Sequence, residues 1–239
     1  MIKTGTDILA IGAHPDDVEI GMGGTIAVHT NLGYRAVILN LTRAELSSNG
    51  TVETRQEEAA KAADLLGVSD LVQLNFPDRG LSGFSDTIIR TLTARIRELR
   101  PRFVFAPGIN DRHPDHTETG ILVKEAVFNA GIKNYEPESG SPFRPEAFWY
   151  YQINGFTEPG IVMDISNVID RKLDALRAYK SQFHYGPDSV KTPLTDEYIE
   201  RVRSREHVTG QLIGVRYGEG FTSDRPLAMT NVFGRERHE

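Results

Sequence analysis

The sequence predicts an α/β protein built on a doubly wound, mostly parallel sheet. Three observations support this prediction. Short apolar runs alternate with amphipathic helical patterns over residues 1–130. Glycine or proline closes most of these segments, as expected at the ends of helices and strands. Clusters of ionisable residues follow two of the apolar runs, at the positions where open α/β sheets place their ligands.

The predicted elements of this first part alternate without exception. The strands are predicted at 8–11, 36–41, 71–74 and 103–106. The helices are predicted at 18–32, 51–66, 85–99 and 118–130. Right-handed crossovers between successive strands make the sheet parallel and place helices on both of its faces. We therefore expect a Rossmann-like core.

The remainder of the chain is less regular. Strands are predicted at 148–153 and 161–165, and helices at 168–179 and 198–213. No internal repeat and no linker separates this part from the first. We therefore expect one domain over 1–239, in which the second part forms C-terminal additions to the sheet.

Composition restricts the classes of function. The formal net charge is -6 and no block of lysine and arginine occurs, so we expect no nucleic-acid partner. No apolar run approaches about 18 residues and the N-terminus lacks the pattern of a signal peptide, so we expect a soluble, cytoplasmic protein with no membrane partner. The chain has no cysteine, so a metal site must use histidine, aspartate or glutamate.

The two ionisable clusters suggest such a metal site. The first, His14-Pro-Asp-Asp17, directly follows the strand at 8–11, and the second ends at His116. Acid and imidazole groups packed this closely favour a divalent cation between them. Two imidazoles and one carboxylate leave one open position on a tetrahedral ion, as in catalytic zinc sites. The pattern does not decide which of Asp16 and Asp17 binds metal and which accepts a proton from water.

Together the two clusters resemble the motifs of the PIG-L/LmbE family of zinc-dependent N-acetylglucosamine deacetylases. The motifs are Ala13-His-Pro-Asp-Asp17 and Asp111-Arg-His-Pro-Asp-His116, and the resemblance covers nearly the whole chain. It is closest to the N-acetylglucosaminyl-malate deacetylases of bacillithiol biosynthesis. Five further segments carry this closer match: Leu46–Gly50, Pro77–Gly80, Ile153–Gly155, Lys180–Phe183 and Lys191–Leu194.

The resemblance implies a ligand set and a base. His14, Asp17 and His116 match the metal ligands, with Zn²⁺ as the cofactor, and Fe²⁺ suits the same donors. Asp16 matches the general base that takes the proton from water. The resemblance also implies a small-molecule sugar substrate and a homo-oligomer, either a trimer or a hexamer.

It further implies the residues that surround the reacting amide. His113 matches a protonated histidine that stabilises the tetrahedral intermediate or helps the amine to leave. Asp115 would pair with His113 and keep it charged, because a nearby carboxylate favours imidazolium. Arg55 matches a substrate-binding arginine near the developing oxyanion. Arg144 and Tyr198 match positions that contact the substrate.

Simpler interpretations of some residues stay open at this point. Asp16 could cap the first helix, and Arg55 could form a surface ion pair with a neighbouring glutamate. Arg201, Arg203 and Arg205 are predicted on the solvated face of a helix. Other substrates are free N-acetylglucosamine, chitooligosaccharides or another N-acetylglucosamine conjugate. A non-catalytic module that binds sugar or nucleotide is the alternative of another class.

Overall fold

The computed structural model describes residues 5–187 and 189–226, so the outer parts of the predicted 1–239 domain lie outside the described residues. The strands are β1 Ile8–Gly12, β2 Ala36–Thr42, β3 Asp70–Phe76, β4 Phe103–Pro107, β5 Ala147–Tyr151, β6 Ile161–Asp164 and β7 Gly218–Thr222. The helices are α1 Asp17–Asn31, α2 Val52–Leu66, α3 Ser85–Leu99, α4 Pro114–Ala130, α5 Ile169–Ala178, α6 Lys180–Phe183 and α7 Tyr198–Gln211. Short 3₁₀ turns occur at Leu81–Phe84 and Pro137–Ser139.

All seven strands form one sheet in the order β3-β2-β1-β4-β5-β7-β6. Strands β1 to β5 pair in parallel, which confirms the predicted doubly wound α/β core. Strand β7 pairs antiparallel with both β5 and β6. The strand order reverses between β1 and β4, and ligands bind at such a switch point, beyond the carboxyl ends of the strands.

Alternate residues of the central strands pack into two separate hydrophobic cores, one on each face of the sheet. On β1, Ile8 and Ala10 pack with residues of α1, α2 and α5 on one face of the sheet. Leu9 and Ile11 pack with residues of α3 and α4 on the other face. This period of two explains why β1 is apolar at every position, since both of its faces are covered. Among the described residues, no helix combines the length and the apolar character needed to cross a bilayer.

Two helix starts determine the geometry of the site. α1 begins at Asp17 and α4 begins at Pro114, four residues before the predicted start at 118. Proline suits the first position of a helix, because its fixed φ is helical and its missing N–H is not needed there. Asp17 and His116 therefore lie in the first turns of helices that leave adjacent strands, whereas His116 was expected in a loop.

The break in α1 and its glycines bring that helix close to the sheet. Met22 has a non-helical φ of -150°, which divides α1 into two segments. A Cβ at Gly21 would collide with the ring of Tyr151 on β5, so only glycine fits there. The first segment of α1 is thereby fixed against the strands whose ends form the site.

Candidate metal centre

Polar side chains from four strand ends meet at one edge of the sheet. His14 follows β1, Asp78 follows β3, His113 and the start of α4 follow β4, and Asn154 follows β5. These groups line a cavity of about 330 Å³. The carboxyl ends of parallel strands share one edge, so residues far apart in sequence become neighbours there.

The carboxylate of Asp17 lies between two imidazoles. Its Oδ1 is 3.1 Å from His116 Nε2, and its Oδ2 is 3.4 Å from His14 Nδ1. The backbone N–H of His14 also donates to Oδ2, at 2.8 Å. All three side chains are buried. The structure therefore brings together the three predicted metal ligands.

The remaining ring nitrogens of the same two histidines face other carboxylates. His116 Nδ1 is 3.1 Å from Asp111 Oδ1, and His14 Nε2 is 3.2 Å from Asp78 Oδ1. A carboxylate on the far nitrogen fixes the tautomer and the orientation of a metal-binding imidazole. His14 Nδ1 and His116 Nε2 are thus the nitrogens that face Asp17.

Sequence reasoning assigned no role to three residues of this outer layer: Asp78, Asp111 and Asn154. The Asn154 side chain donates to Asp111 Oδ1 at 2.9 Å, and its backbone N–H donates to Asp111 Oδ2 at 3.0 Å. Each of the three follows a parallel strand of the sheet, on the same edge as the two histidines. That position after a strand is the signal that could have identified them.

A third imidazole, that of His113, adjoins the same centre. Its ring stacks on His116 with centroids 4.5 Å apart and lies 4.9 Å from the ring of His14. Ligand atoms of the three histidines all lie within 4.8 Å of one another, which defines a second possible ligand set, and His14, Asp78 and Asp115 define a third in the same way. His113 Nδ1, however, accepts the Asp115 backbone N–H at 3.3 Å and caps α4.

The predicted pairing of Asp115 with His113 is wrong. Asp115 Oδ2 instead accepts the Arg79 backbone N–H at 2.7 Å, and Oδ1 is 3.2 Å from Arg79 Nη1. Burial lowers the pKa of His113, and the neighbouring imidazoles of His116 and His14 lower it further. The expected imidazolium at His113 stays a prediction. Asp115 follows the capping residue inside the helix, so its carboxylate points to the loop after β3 rather than back to His113.

Asp16 differs from Asp17 in conformation and in surroundings. Its φ of 99° lies in the left-handed region, which is strained for a residue other than glycine and is common at functional sites. Its side chain makes no capping hydrogen bond to α1, so the simple capping interpretation is wrong. Burial raises the pKa of the Asp16 carboxyl to about 6, against the opposing charge of Arg55.

Arg55 is the partner of Asp16. Its Nη2 lies 2.9 Å from Asp16 Oδ2 and donates to Pro15 O at 2.5 Å. Nη1 donates to Ser47 Oγ at 3.1 Å. The side chain is buried under the loop that precedes α2, so the alternative of a surface ion pair is wrong. Arg55 therefore lies at the site, where it orients Asp16.

Of the other two predicted substrate contacts, Arg144 and Tyr198, only one lies at the cavity. Tyr198 lines the cavity, and its hydroxyl donates to Ile153 O at 3.2 Å. The Arg144 side chain instead lies against Gly131, just after the last residue of α4. A helix of 17 residues spans about 25 Å, so Arg144 is remote from the site of its own chain. The expectation for Arg144 is not met within one chain.

The electrostatics of the centre suit a divalent cation. Burial lowers the pKa of His116, but the carboxylates of Asp17 and Asp111 outweigh it and raise that pKa to about 9. The pKa of His14 is likewise raised well above its ordinary value, because Asp17, Asp115 and Asp78 outweigh its burial. Two protons are thus held around one buried carboxylate. A divalent ion carries the same positive charge as these two protons and leaves both imidazoles neutral. Two nitrogen ligands and one oxygen ligand suit Zn²⁺ or Fe²⁺.

A cluster of imidazoles and carboxylates at the switch point of a doubly wound sheet is typical of metal-dependent hydrolases. Comparison with known proteins narrows this class. The family described as GlcNAc-PI de-N-acetylase (PIG-L) matches residues 9–127. The diacetylchitobiose deacetylase of Thermococcus kodakarensis is 33% identical over 227 residues, which are 89% of this chain and 81% of the relative.

Two further proteins are similar over most of their length. The Bacillus anthracis protein named Probable N-acetyl-alpha-D-glucosaminyl L-malate deacetylase 2 is 27% identical over 215 residues, covering 84% of this chain and 92% of the relative. The crystal structure of a conserved protein from Thermus thermophilus, TT1542, has a TM-score of 0.86 and 38% identity, covering 97% of this chain and 100% of that one.

The chain belongs to the PIG-L family of de-N-acetylases, as its two motifs predicted. It is a hydrolase that acts on the N-acetyl amide bond of a substrate containing N-acetylglucosamine. This membership overturns the alternative of a non-catalytic binding module.

Proposed function

We propose that this enzyme is a divalent-metal-dependent deacetylase of N-acetyl-α-D-glucosaminyl L-malate, acting in bacillithiol biosynthesis. The observation that carries the metal dependence is the buried Asp17 carboxylate between His14 and His116. These three residues would hold Zn²⁺, or Fe²⁺ with the same donors. Asp16 differs from Asp17 in backbone conformation and pairs with Arg55, so it is available for proton transfer.

The ion, when bound, polarises the amide carbonyl and lowers the pKa of water. Asp16 accepts the proton that the attacking water loses. With a pKa of about 6, its carboxyl is ionised at neutral pH and remains basic enough to hold that proton. Arg55 keeps the Asp16 carboxylate in place and adds a positive charge beside the oxyanion that develops.

His113 acts as the donor on the other side of the amide. Because its Nδ1 accepts a backbone N–H, the neutral ring carries its proton on Nε2. Nε2 can therefore donate a hydrogen bond to the tetrahedral oxyanion. The departing amine takes the proton that Asp16 accepted from water. In this form His113 would stabilise the oxyanion without transferring a proton.

The group attached to the sugar is the finer part of the proposal. Arg112 lines the cavity, and no ion pair engages it within residues 5–187 and 189–226. An unpaired guanidinium at the cavity wall suits the carboxylates of a malyl group. Neutral diacetylchitobiose, which gives the Thermococcus relative its name, is the alternative.

Acetate release over a small substrate panel tests both parts of the proposal. The panel contains the malate conjugate, diacetylchitobiose and free N-acetylglucosamine, with metal-stripped enzyme as the control. We expect the highest kcat/KM for the malate conjugate. Activity that survives complete metal removal would contradict the metal dependence, whereas faster turnover of diacetylchitobiose would contradict the substrate assignment alone.

The Arg112→Gln variant sharpens this test. It should lower kcat/KM for the malate conjugate about 10–150-fold, because one charge-assisted hydrogen bond contributes roughly 1.5–3 kcal/mol. It should leave turnover of neutral diacetylchitobiose nearly unchanged. Arg95→Gln on the exposed part of α3 is the matched control, since Arg95 pairs only with Glu98. An equal loss of kcat/KM on both substrates would mean that Arg112 does not recognise the malyl group.

Assembly and compartment belong to the proposal as well. We propose a homo-oligomer, a trimer or a hexamer, that works in the cytoplasm. The Ile121 and Phe128 side chains on α4 are exposed, which favours association through that helix. Light scattering coupled to size exclusion should give a mass three or six times that of one chain. A monomer at micromolar concentration would contradict this part.

A further inference from the structure

Arg205 on α7 joins two segments that carry opposite sides of the metal centre. Its Nη2 donates to Ile20 O at 2.7 Å, and its Nη1 donates to Gln152 O at 3.2 Å and Ile153 O at 3.0 Å. The Nη2 group also binds Glu206 Oε1 at 2.7 Å. The side chain is 14% exposed, so the prediction that Arg205 lies on a solvated face is wrong. Only arginine offers several fixed donors on one side chain.

The first of these segments is the start of α1. In an uninterrupted helix, Gly24 N–H donates to Ile20 O, four residues earlier. At this break, Arg205 supplies a donor for Ile20 O, and Gly24 N–H donates to Glu219 Oε1 at 2.8 Å. Buried backbone groups at a helix break need such partners. Arg205 therefore fixes the end of the short segment that begins with Asp17.

The far side of the break is held by the same buried network. Thr25 N–H donates to Glu219 Oε2 at 2.6 Å. Lys172 Nζ lies 2.6 Å from both Glu219 Oε1 and Glu206 Oε1, and is fully buried. Because Glu206 also binds Arg205, both caps of the break belong to one ionic cluster.

The second segment that Arg205 holds is the exit of β5. Ile153, whose carbonyl it binds, directly precedes Asn154. Asn154 binds both oxygens of Asp111, and Asp111 Oδ1 lies 3.1 Å from His116 Nδ1. The guanidinium is thus connected to Asp17 through α1 and to His116 through three successive contacts.

We infer that Arg205 is a positioning residue that sets the separation of Asp17 and His116 in the metal centre. The inference rests on the proposed metal site and assigns Arg205 no contact with substrate. The Arg205 side chain does not line the cavity that contains His14 and Asp16. It acts through main-chain carbonyls, which a lysine, with a single nitrogen, cannot hold in the same arrangement.

Zinc affinity of the Arg205→Lys variant tests the inference. Competition with a chelator should give a Kd for Zn²⁺ that is about 10–100-fold higher than in the wild type, the range for lost outer-layer contacts. Hydrogen exchange in the metal-free protein should be faster for the amides of residues 17–21 and 152–154. Arg201→Lys is the matched control, because Arg201 lies one turn earlier on α7 and pairs with exposed Asp196. It should change neither quantity.

A double-mutant cycle with Asn154→Ala separates positioning from general stability. Asn154→Ala should itself weaken zinc binding about tenfold, and the two losses should be less than additive because they act along one chain of contacts. A lowered Tm with wild-type zinc affinity in Arg205→Lys, or strict additivity with Asn154→Ala, would overturn the inference. If Arg205→Lys does not fold, wild-type zinc affinity in Asn154→Ala overturns it instead. Failure of the wild-type protein to bind zinc would overturn the proposed function.

Discussion

The first and second parts of the chain contribute different kinds of residue to the site. Residues 8–130 supply every side chain that we propose to hold the metal, move a proton or stabilise the oxyanion: His14, Asp16, Asp17, Arg55, His113 and His116. Residues 147–222 supply groups that hold those side chains in position, among them Asn154, Lys172, Arg205 and Glu219. The reactive groups thus lie in the first part, together with the positioning residues Asp78 and Asp111, and the second part adds further positioning groups.

This difference has a physical origin. The reactive groups lie in first turns and loops at strand ends, where several elements of the fold converge. The C-terminal elements pack behind those turns and meet them through buried charges and backbone carbonyls. Variants of the proton-transfer residue in the first part should therefore change turnover at nearly constant stability, whereas variants of the positioning groups in the second part should change stability or metal affinity.

The largest effect is expected for Asp16→Asn in the first part. Loss of the general base should lower kcat about 10²–10⁴-fold. The fold should be retained, because asparagine tolerates the left-handed φ that Asp16 adopts. Acetate release and zinc content measured on one preparation check both halves of this statement. Full activity, or loss of zinc, would contradict the roles given to Asp16 and Asp17.

Lys172→Met in the second part should act on stability instead. It leaves two buried carboxylates, those of Glu206 and Glu219, without their shared cation. Removal of one partner from a buried ion pair costs about 3–5 kcal/mol of unfolding free energy. Urea denaturation measures this loss. Lys124→Met is the control, since its pair with Asp224 is exposed and should contribute no more than about 1 kcal/mol. Equal losses in the two variants would contradict a structural role for the buried cluster.

Glu206→Gln should change how stability depends on pH. Burial raises the pKa of the Glu206 carboxyl, but Arg205 and Lys172 outweigh it, so the pKa falls below its ordinary value of 4.5. Its stabilising contribution is therefore complete above that value and is lost as pH falls through the folded pKa. The variant should lose about 1.5–3 kcal/mol at pH 7 and show a shallower decline below pH 4.5. An unchanged acid profile would contradict the lowered pKa.

The smallest effect is expected for Tyr198→Phe. The Tyr198 hydroxyl donates a hydrogen bond to Ile153 O, and Tyr198 lines the cavity. One such hydrogen bond contributes roughly 1 kcal/mol, so kcat/KM should change by less than about fivefold. Steady-state kinetics on the preferred substrate decide this. A hundredfold loss would mean that the hydroxyl itself contacts the substrate.

The sequence predicted the first part of the molecule well because its signals are local. Short apolar runs and amphipathic helical patterns closed by glycine or proline define β1 to β4 and α1 to α3 within a few residues. The ligands follow from the rule that parallel strands end at one edge. The start of α4 was placed late, since Pro114 reads as a loop residue although it suits a first helical turn.

The second part was predicted less well because its determinants are distant in sequence. Strand β7 was missed, since Gly218, Glu219 and Gly220 lack the apolar alternation of a strand. The role of Glu219 is to accept a backbone N–H at the break in α1, nearly 200 residues earlier in the chain. Arg205 was assigned to solvent because its partners are main-chain carbonyls, which no side-chain pattern reveals.

The zinc content of two variants tests the central claim most directly, because it distinguishes between two of the possible ligand sets. One set uses Asp17 with His14 and His116, and the other replaces Asp17 with His113. We expect metal reconstitution to give about one equivalent of zinc in His113→Ala and almost none in Asp17→Ala. Zinc retained in Asp17→Ala and lost in His113→Ala would show that three imidazoles hold the ion, and would contradict the account.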